Sequence, residues 1–96
     1  MSVDFADKLA ELRRVYVASL PLKLDEIFAA MTRRAFGDTR SLAHRLRGTA
    51  GSYGLPAISA AAGAIEDRMD TGEEHAIWSE LEELLAAARL AVKELS

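Results

Sequence analysis

Apolar residues recur at intervals of three and four along the whole of this chain, and no stretch alternates with a period of two. That spacing lines up on one face of a helix and is incompatible with a half-buried strand. Ala, Leu, Glu and Arg are abundant, and all four are good helix formers. Two prolines and a few glycines divide the pattern into segments. The first segment runs from about 4 to 19, with Phe5, Leu9, Leu12 and Tyr16 as its stripe. Pro21 interrupts it and suits the first turn of the next helix, where its missing N–H costs nothing. That second helix, from about 21 to 35, carries Leu24, Ile27, Phe28, Met31 and Ala35.

Gly37 is expected to end the second helix, with Asp38 or Thr39 capping a third from about 39 to 53. Gly54 is placed to close the third, and Pro56 opens a fourth that runs to about Met69. The fourth carries Leu55, Ile58, Ala62, Ile65 and Met69, and its small residues from Ser59 to Ala62 permit a close helix approach. Thr71 and Glu74 have the spacing of a capping box and are expected to start the last helix. Ile77, Leu81, Leu84, Leu85, Ala88, Val92 and Leu95 form its apolar face, with Trp78 as an anchor beside it. The aromatic and methionine side chains in these stripes read as core. Short connections favour antiparallel neighbours. The expected fold is all-α: an antiparallel up-and-down four-helix bundle with an additional N-terminal helix, in a single domain spanning 1–96.

Cysteine is absent, which excludes disulfides, thiolate metal sites and a thiol nucleophile. No run approaches the roughly 18 apolar residues needed to cross a bilayer. The amino-terminal residues lack the basic and apolar regions of a secretory signal. A cytoplasmic location, with no membrane contact, is therefore expected. The net charge of −3 is unevenly spread. Residues 33–47 hold five arginines against Asp38 alone, whereas 66–96 hold nine carboxylates against three basic residues. A basic region on an acidic protein is either a solvated surface or a docking face for an anionic partner.

The third helix does not read as purely structural. On a helical wheel of about 100° per residue, Leu42, Leu46, Thr49 and Tyr53 cluster opposite His44. The apolar side therefore points inward and the imidazole points to solvent. Gly48 and Gly51 lie one and two turns on from it, and Arg47 and Ser41 lie one turn to either side. Each interior glycine costs a helix roughly 1 kcal/mol against alanine. Their effect is clearance, so that a partner can approach His44 without collision. Arg47 is within reach of an anionic group carried on the imidazole and is expected to stabilise it. It is also expected to disfavour the imidazolium form.

The run from His44 to Leu55, HRLRGTAGSYGL, resembles the signature of histidine-containing phosphotransfer (HPt) domains. In that signature a histidine is followed by a basic residue three on, a glycine four on and a glycine ten on, here Arg47, Gly48 and Gly54. Leu20-Pro21 with Leu24 is similar to the family's turn before its second helix, and Ile65-Glu66 to a later apolar-acidic pair. The family's basic residue is usually lysine, so Arg47 is a departure in fork geometry. The resemblance implies a relay through phospho-His44, formed at Nε2, between receiver domains of response regulators, with a hybrid sensor kinase upstream. It implies that the receiver supplies the aspartate and the Mg²⁺, and that the chain has no cofactor and no kinase activity of its own.

No phosphate-binding loop is present to make phosphohistidine from ATP. Ser41, Thr49 and Ser52 have no triad partners in sequence context. His75, beside Glu73 and Glu74, reads as a solvated residue, and no metal site is expected. Leu22, Arg40, Ser41, Arg45 and Ser52 are the candidate partner contacts, and the chain is expected as a monomer. Two other readings stay open: a binding bundle of the same fold without phosphoryl traffic, and a nucleic-acid binder resting on the arginine cluster alone, which the overall acidity opposes.

Overall fold

The computed structural model describes residues 2–95. It contains five α-helices, α1 (Ser2–Ala18), α2 (Leu20–Thr32), α3 (Phe36–Ser52), α4 (Pro56–Asp70) and α5 (Ile77–Glu94), with a 3₁₀ turn over Glu74–Ala76. Helices α2 to α5 pack as the bundle. The all-α expectation holds, and no strand occurs among the described residues.

The core is built from the stripes that face inward. Leu20, Leu24, Ile27 and Met31 from α2 meet Ala43, Leu46 and Ala50 from α3. Ile58, Ala62 and Ile65 from α4 and Ile77, Leu81, Leu84 and Ala88 from α5 complete it. Each large aliphatic side chain buried in this way contributes roughly 1.5–3 kcal/mol. No buried side-chain polar atom among the described residues lacks a partner.

Helix α1 is not a further layer on this bundle. The backbone stays helical through Ser19, and the Lys23 N–H still donates to the Ser19 carbonyl. Helices α1 and α2 thus continue one line. Their residues 2–32 would span about 46 Å at the α-helical rise, close to the longest dimension of 48 Å. Pro21 sits in the first turn of α2, where its lost donor breaks little.

The expected core role of Phe5, Leu9 and Leu12 is corrected by this geometry. They lie beyond the end of the bundle and are 66%, 49% and 52% exposed. Among the residues of α1 whose burial is described, only Tyr16 and Val17 at its foot are buried. Tyr16 stacks on Tyr53, shares a 2.6 Å hydrogen bond with Thr49, and lies near Arg13, whose Nε donates to the Tyr53 carbonyl. Trp78 is likewise half exposed, with its ring 6.5 Å from that of Phe28.

Two helix starts also differ from expectation. Gly37 lies inside the first turn of α3, and Arg34 takes the left-handed conformation (φ 59°) in the preceding turn. Thr39 does not cap: it is fully buried, and its hydroxyl donates to the Ala35 carbonyl one turn back. The Thr71–Glu74 capping box does not form, because the Thr71 hydroxyl goes to Glu73 instead. Gly54 and Gly72 do end their helices with φ of 70° and 74°, a conformation that glycine adopts without steric cost.

Candidate functional site

Helices α3 and α4 run antiparallel with small residues between them, and two rows of side chains face each other across the seam. On α3 the row is Arg40, His44, Arg47 and Gly51; on α4 it is Asp70, Glu66, Gly63 and Ser59. Both rows follow the four, three, four spacing of one helical face, so a single register pairs all four positions. The Arg40 guanidinium bonds Asp70. His44 Nδ1 lies 2.7 Å from a carboxylate oxygen of Glu66. The Arg47 side chain crosses Gly63, where a Cβ would stand 3.3 Å from its Cδ and Nε. The Ser59 hydroxyl donates to the Arg47 carbonyl beside Gly51.

Glu66 is the centre of this arrangement. Its side chain is only 7% exposed, and a carboxylate withdrawn from water must be paired to remain charged. It has three cationic or polar neighbours: His44 at 2.7 Å, Arg47 at 3.3 Å and Arg40 at 3.5 Å. An ionised carboxylate only accepts, so Nδ1 of His44 carries the proton and donates. The imidazole itself is 68% exposed, and its Nε2 has no protein partner among the described residues. The ring is therefore held at one nitrogen and open at the other. Next to it, the Arg40 hydrogen bond and charge hold the Asp70 carboxyl below its ordinary range, and the same contact raises Arg40.

The neighbouring glycines differ. A Cβ on Gly48 would meet nothing within 4 Å, so no packing demand accounts for that glycine. A Cβ on Gly51 would lie 3.5 Å from the Ser59 hydroxyl, an ordinary contact with α4. Gly51 is thus exposed at the border of the helix seam. Gly54 lies at the helix end. Glu66 is bonded to both Arg47 and His44, so the charge nearest the ring is negative. Arg40 is engaged with α4 and is not a free surface cation. Ser41 and Arg45 are exposed and line a shallow groove with Arg33, Asp38 and Leu42. Ser52 is exposed, but its hydroxyl bonds the Gly48 carbonyl. Leu22 stands exposed on α2.

The sequence alone presents Glu66 as part of a matching pair and Ser59 as a small residue at a helix approach, and it singles out neither Asp70 nor Gly63. One signal was present: Glu66 lies one turn after Ala62 and one before Met69, a carboxylate set in an otherwise apolar stripe. No described helix is long and apolar enough to cross a membrane.

Comparison with known proteins gives one result that matches this geometry. A family model described as the Hpt domain covers residues 11–95. Neither the curated proteins nor the solved structures contain a match to the chain. An outward imidazole on a helical bundle, and a family match over nearly the whole length, lead to the same assignment: the chain belongs to the Hpt domain family, the histidine phosphotransfer modules of two-component signalling.

Proposed function

We propose that His44 is the phosphoacceptor and that the chain relays a phosphoryl group between receiver domains of response regulators. The observation that carries this reading is the exposed imidazole whose Nδ1 is held by the buried Glu66. With Nδ1 occupied as a donor, the Nε2 lone pair is the available nucleophile. It attacks the phosphorus of a receiver's aspartyl phosphate, an N–P bond forms, the P–O bond breaks, and the aspartate carboxylate leaves. Positive charge develops on the ring in that step, and the Nδ1–H···carboxylate hydrogen bond stabilises it. The reverse sequence delivers the phosphoryl group to another receiver.

Phosphoryl transfer depends mostly on in-line positioning and charge neutralisation. Arg47 spends one of its donors on Glu66 and keeps the others for the phosphoryl oxygens. The open space at Gly48 admits the receiver's loops beside the ring. Ser41, Arg45, Ser52 and Leu22 are the outlying contacts of the receiver face, which an acidic receiver surface would complement. The receiver supplies the aspartate and its Mg²⁺, a hybrid sensor kinase lies upstream, and the chain acts in the cytoplasm without kinase activity of its own.

Incubation with a phosphorylated receiver tests this reading. Label is expected on the chain in an acid-labile, alkali-stable linkage, and His44→Gln abolishes it. Glu66→Gln, which keeps a hydrogen bond but loses the charge, is expected to slow transfer about tenfold, the equivalent of about 1.4 kcal/mol. Label that persists on His44→Gln rejects the assignment. Receiver binding without any label on the wild type supports a binding bundle of the same fold instead.

A further inference from the structure

Helix α1 leaves a row of large apolar side chains uncovered. Phe5, Leu9 and Leu12 continue the line of Tyr16 at intervals of four, three and four, the seam spacing of paired helices. Tyr16 is seated against Tyr53, but the other three project past the end of the bundle. The radius of gyration is 14.1 Å, against about 12.5 Å for a compact domain of this length. A single helix of about a dozen residues standing off its domain is marginal in water. The structure thus presents a seam with one half missing.

We propose that this half is α1 of a second copy of the chain, packed antiparallel across Phe5, Leu9 and Leu12. Charge distribution selects the direction. Asp4, Asp7 and Lys8 leave the first half of α1 with one net negative charge, and Glu11, Arg13 and Arg14 leave its second half with one net positive charge. Antiparallel pairing sets the net acidic half of one helix beside the net basic half of the other and opposes the helix dipoles, whereas parallel pairing sets like beside like. Shape selects the same occupant. With Leu9 opposite Leu12, Phe5 of one copy comes level with residues 13–16 of the other. A groove of about 250 Å³ opens there, lined by Arg13, Leu55, Pro56, Leu90 and Ala91, with Leu90 exposed. Each copy thus supplies one aromatic knob and one apolar recess, and a two-fold axis satisfies both at once. The seam is only three turns long and falls short of the roughly 800 Å² per partner of a standard interface. The pair is therefore weak and reversible, with dissociation in the micromolar range.

Sedimentation equilibrium from about 5 µM to about 1 mM spans such a dissociation constant. The expected mass rises from 10.4 kDa towards twice that value. Leu9→Asp and Leu12→Asp are each expected to weaken association at least about a hundredfold, with helicity and the dilute-solution melting point unchanged. Spin labels on Asp4→Cys should lie roughly 20 Å or more apart in the pair, against about 10 Å for parallel helices. A chain monomeric throughout overturns the proposal, as does a dimer indifferent to Leu9→Asp and Leu12→Asp. Monomers that bind vesicles of phosphatidylcholine and phosphatidylglycerol through this stripe overturn it in favour of a membrane surface. Phosphotransfer from a dilute receiver should be unchanged in Leu9→Asp, so the result stands apart from the role of His44.

Discussion

Along the α3–α4 seam each member of one row meets its counterpart in the other, whereas along α1 three large apolar side chains stand about half or more in water. Both regions come from regular helices with clean periodicity. The difference lies in what faces them. The α3 row falls opposite Asp70, Glu66, Gly63 and Ser59, and four contacts follow from one register. Helix α1 has the same regular spacing but runs past the end of every helix that could cover it. Periodicity makes a face; only a neighbour of matching length makes it an interior.

The largest effect sets the bundle core against α1 and comes from one substitution made twice. Leu81 is fully buried and Leu9 is not. Leu81→Ala is expected to lower stability by about 2–5 kcal/mol, and Leu9→Ala by less than about 0.5 kcal/mol. Urea unfolding at low protein concentration reads both, and comparable losses would remove the distinction. The glycines make a second, smaller contrast. Gly63→Leu pushes Arg47 off its path across α4 and is expected to cost about 1–3 kcal/mol. Gly48→Ala meets open space and is expected to add about 0.5–1 kcal/mol of stability, while slowing transfer to His44. A destabilising Gly48→Ala would mean that the glycine serves packing after all.

The smallest effect sits where the two regions join. Burial raises the Tyr16 phenol above its ordinary value of 10. Below pH 10 the hydroxyl is neutral in the folded and unfolded chains alike, so its stabilising effect is fully present. As the pH rises from 10 through the folded-state value, the unfolded chain ionises first and stability falls. Tyr16→Phe should remove that part of the alkaline loss, at the expense of the Thr49 hydrogen bond, about 1 kcal/mol. Thermal melts of both proteins between pH 8 and 11 would show it, and parallel curves would contradict it.

The sequence was informative about whatever a single helix determines. The segments, the inward stripes of α2 to α5 and the outward direction of His44 all follow from position around one helical axis. It was silent on what two helices determine together. Glu66, Asp70, Gly63 and Ser59 become a row of partners only once α4 is set against α3, and no local spacing states that register. Expectations about caps failed for a related reason. Thr39 has a capping side chain, but Phe36 and Thr39 pack inward and draw the start of α3 a turn earlier than Gly37 implied. Phe5, Leu9 and Leu12 resemble core residues in sequence because a stripe does not reveal how far the bundle beneath it extends.

One carboxylate shared among Arg40, His44 and Arg47 also makes these positions heritable as a set. A change at any of the three redistributes what Glu66 offers the other two, so the effect of a second substitution depends on the first. Drift at the site is then constrained to coordinated steps, and a lysine introduced at 47 would be judged by selection against the residues then present at 40 and 66, not on its own merits.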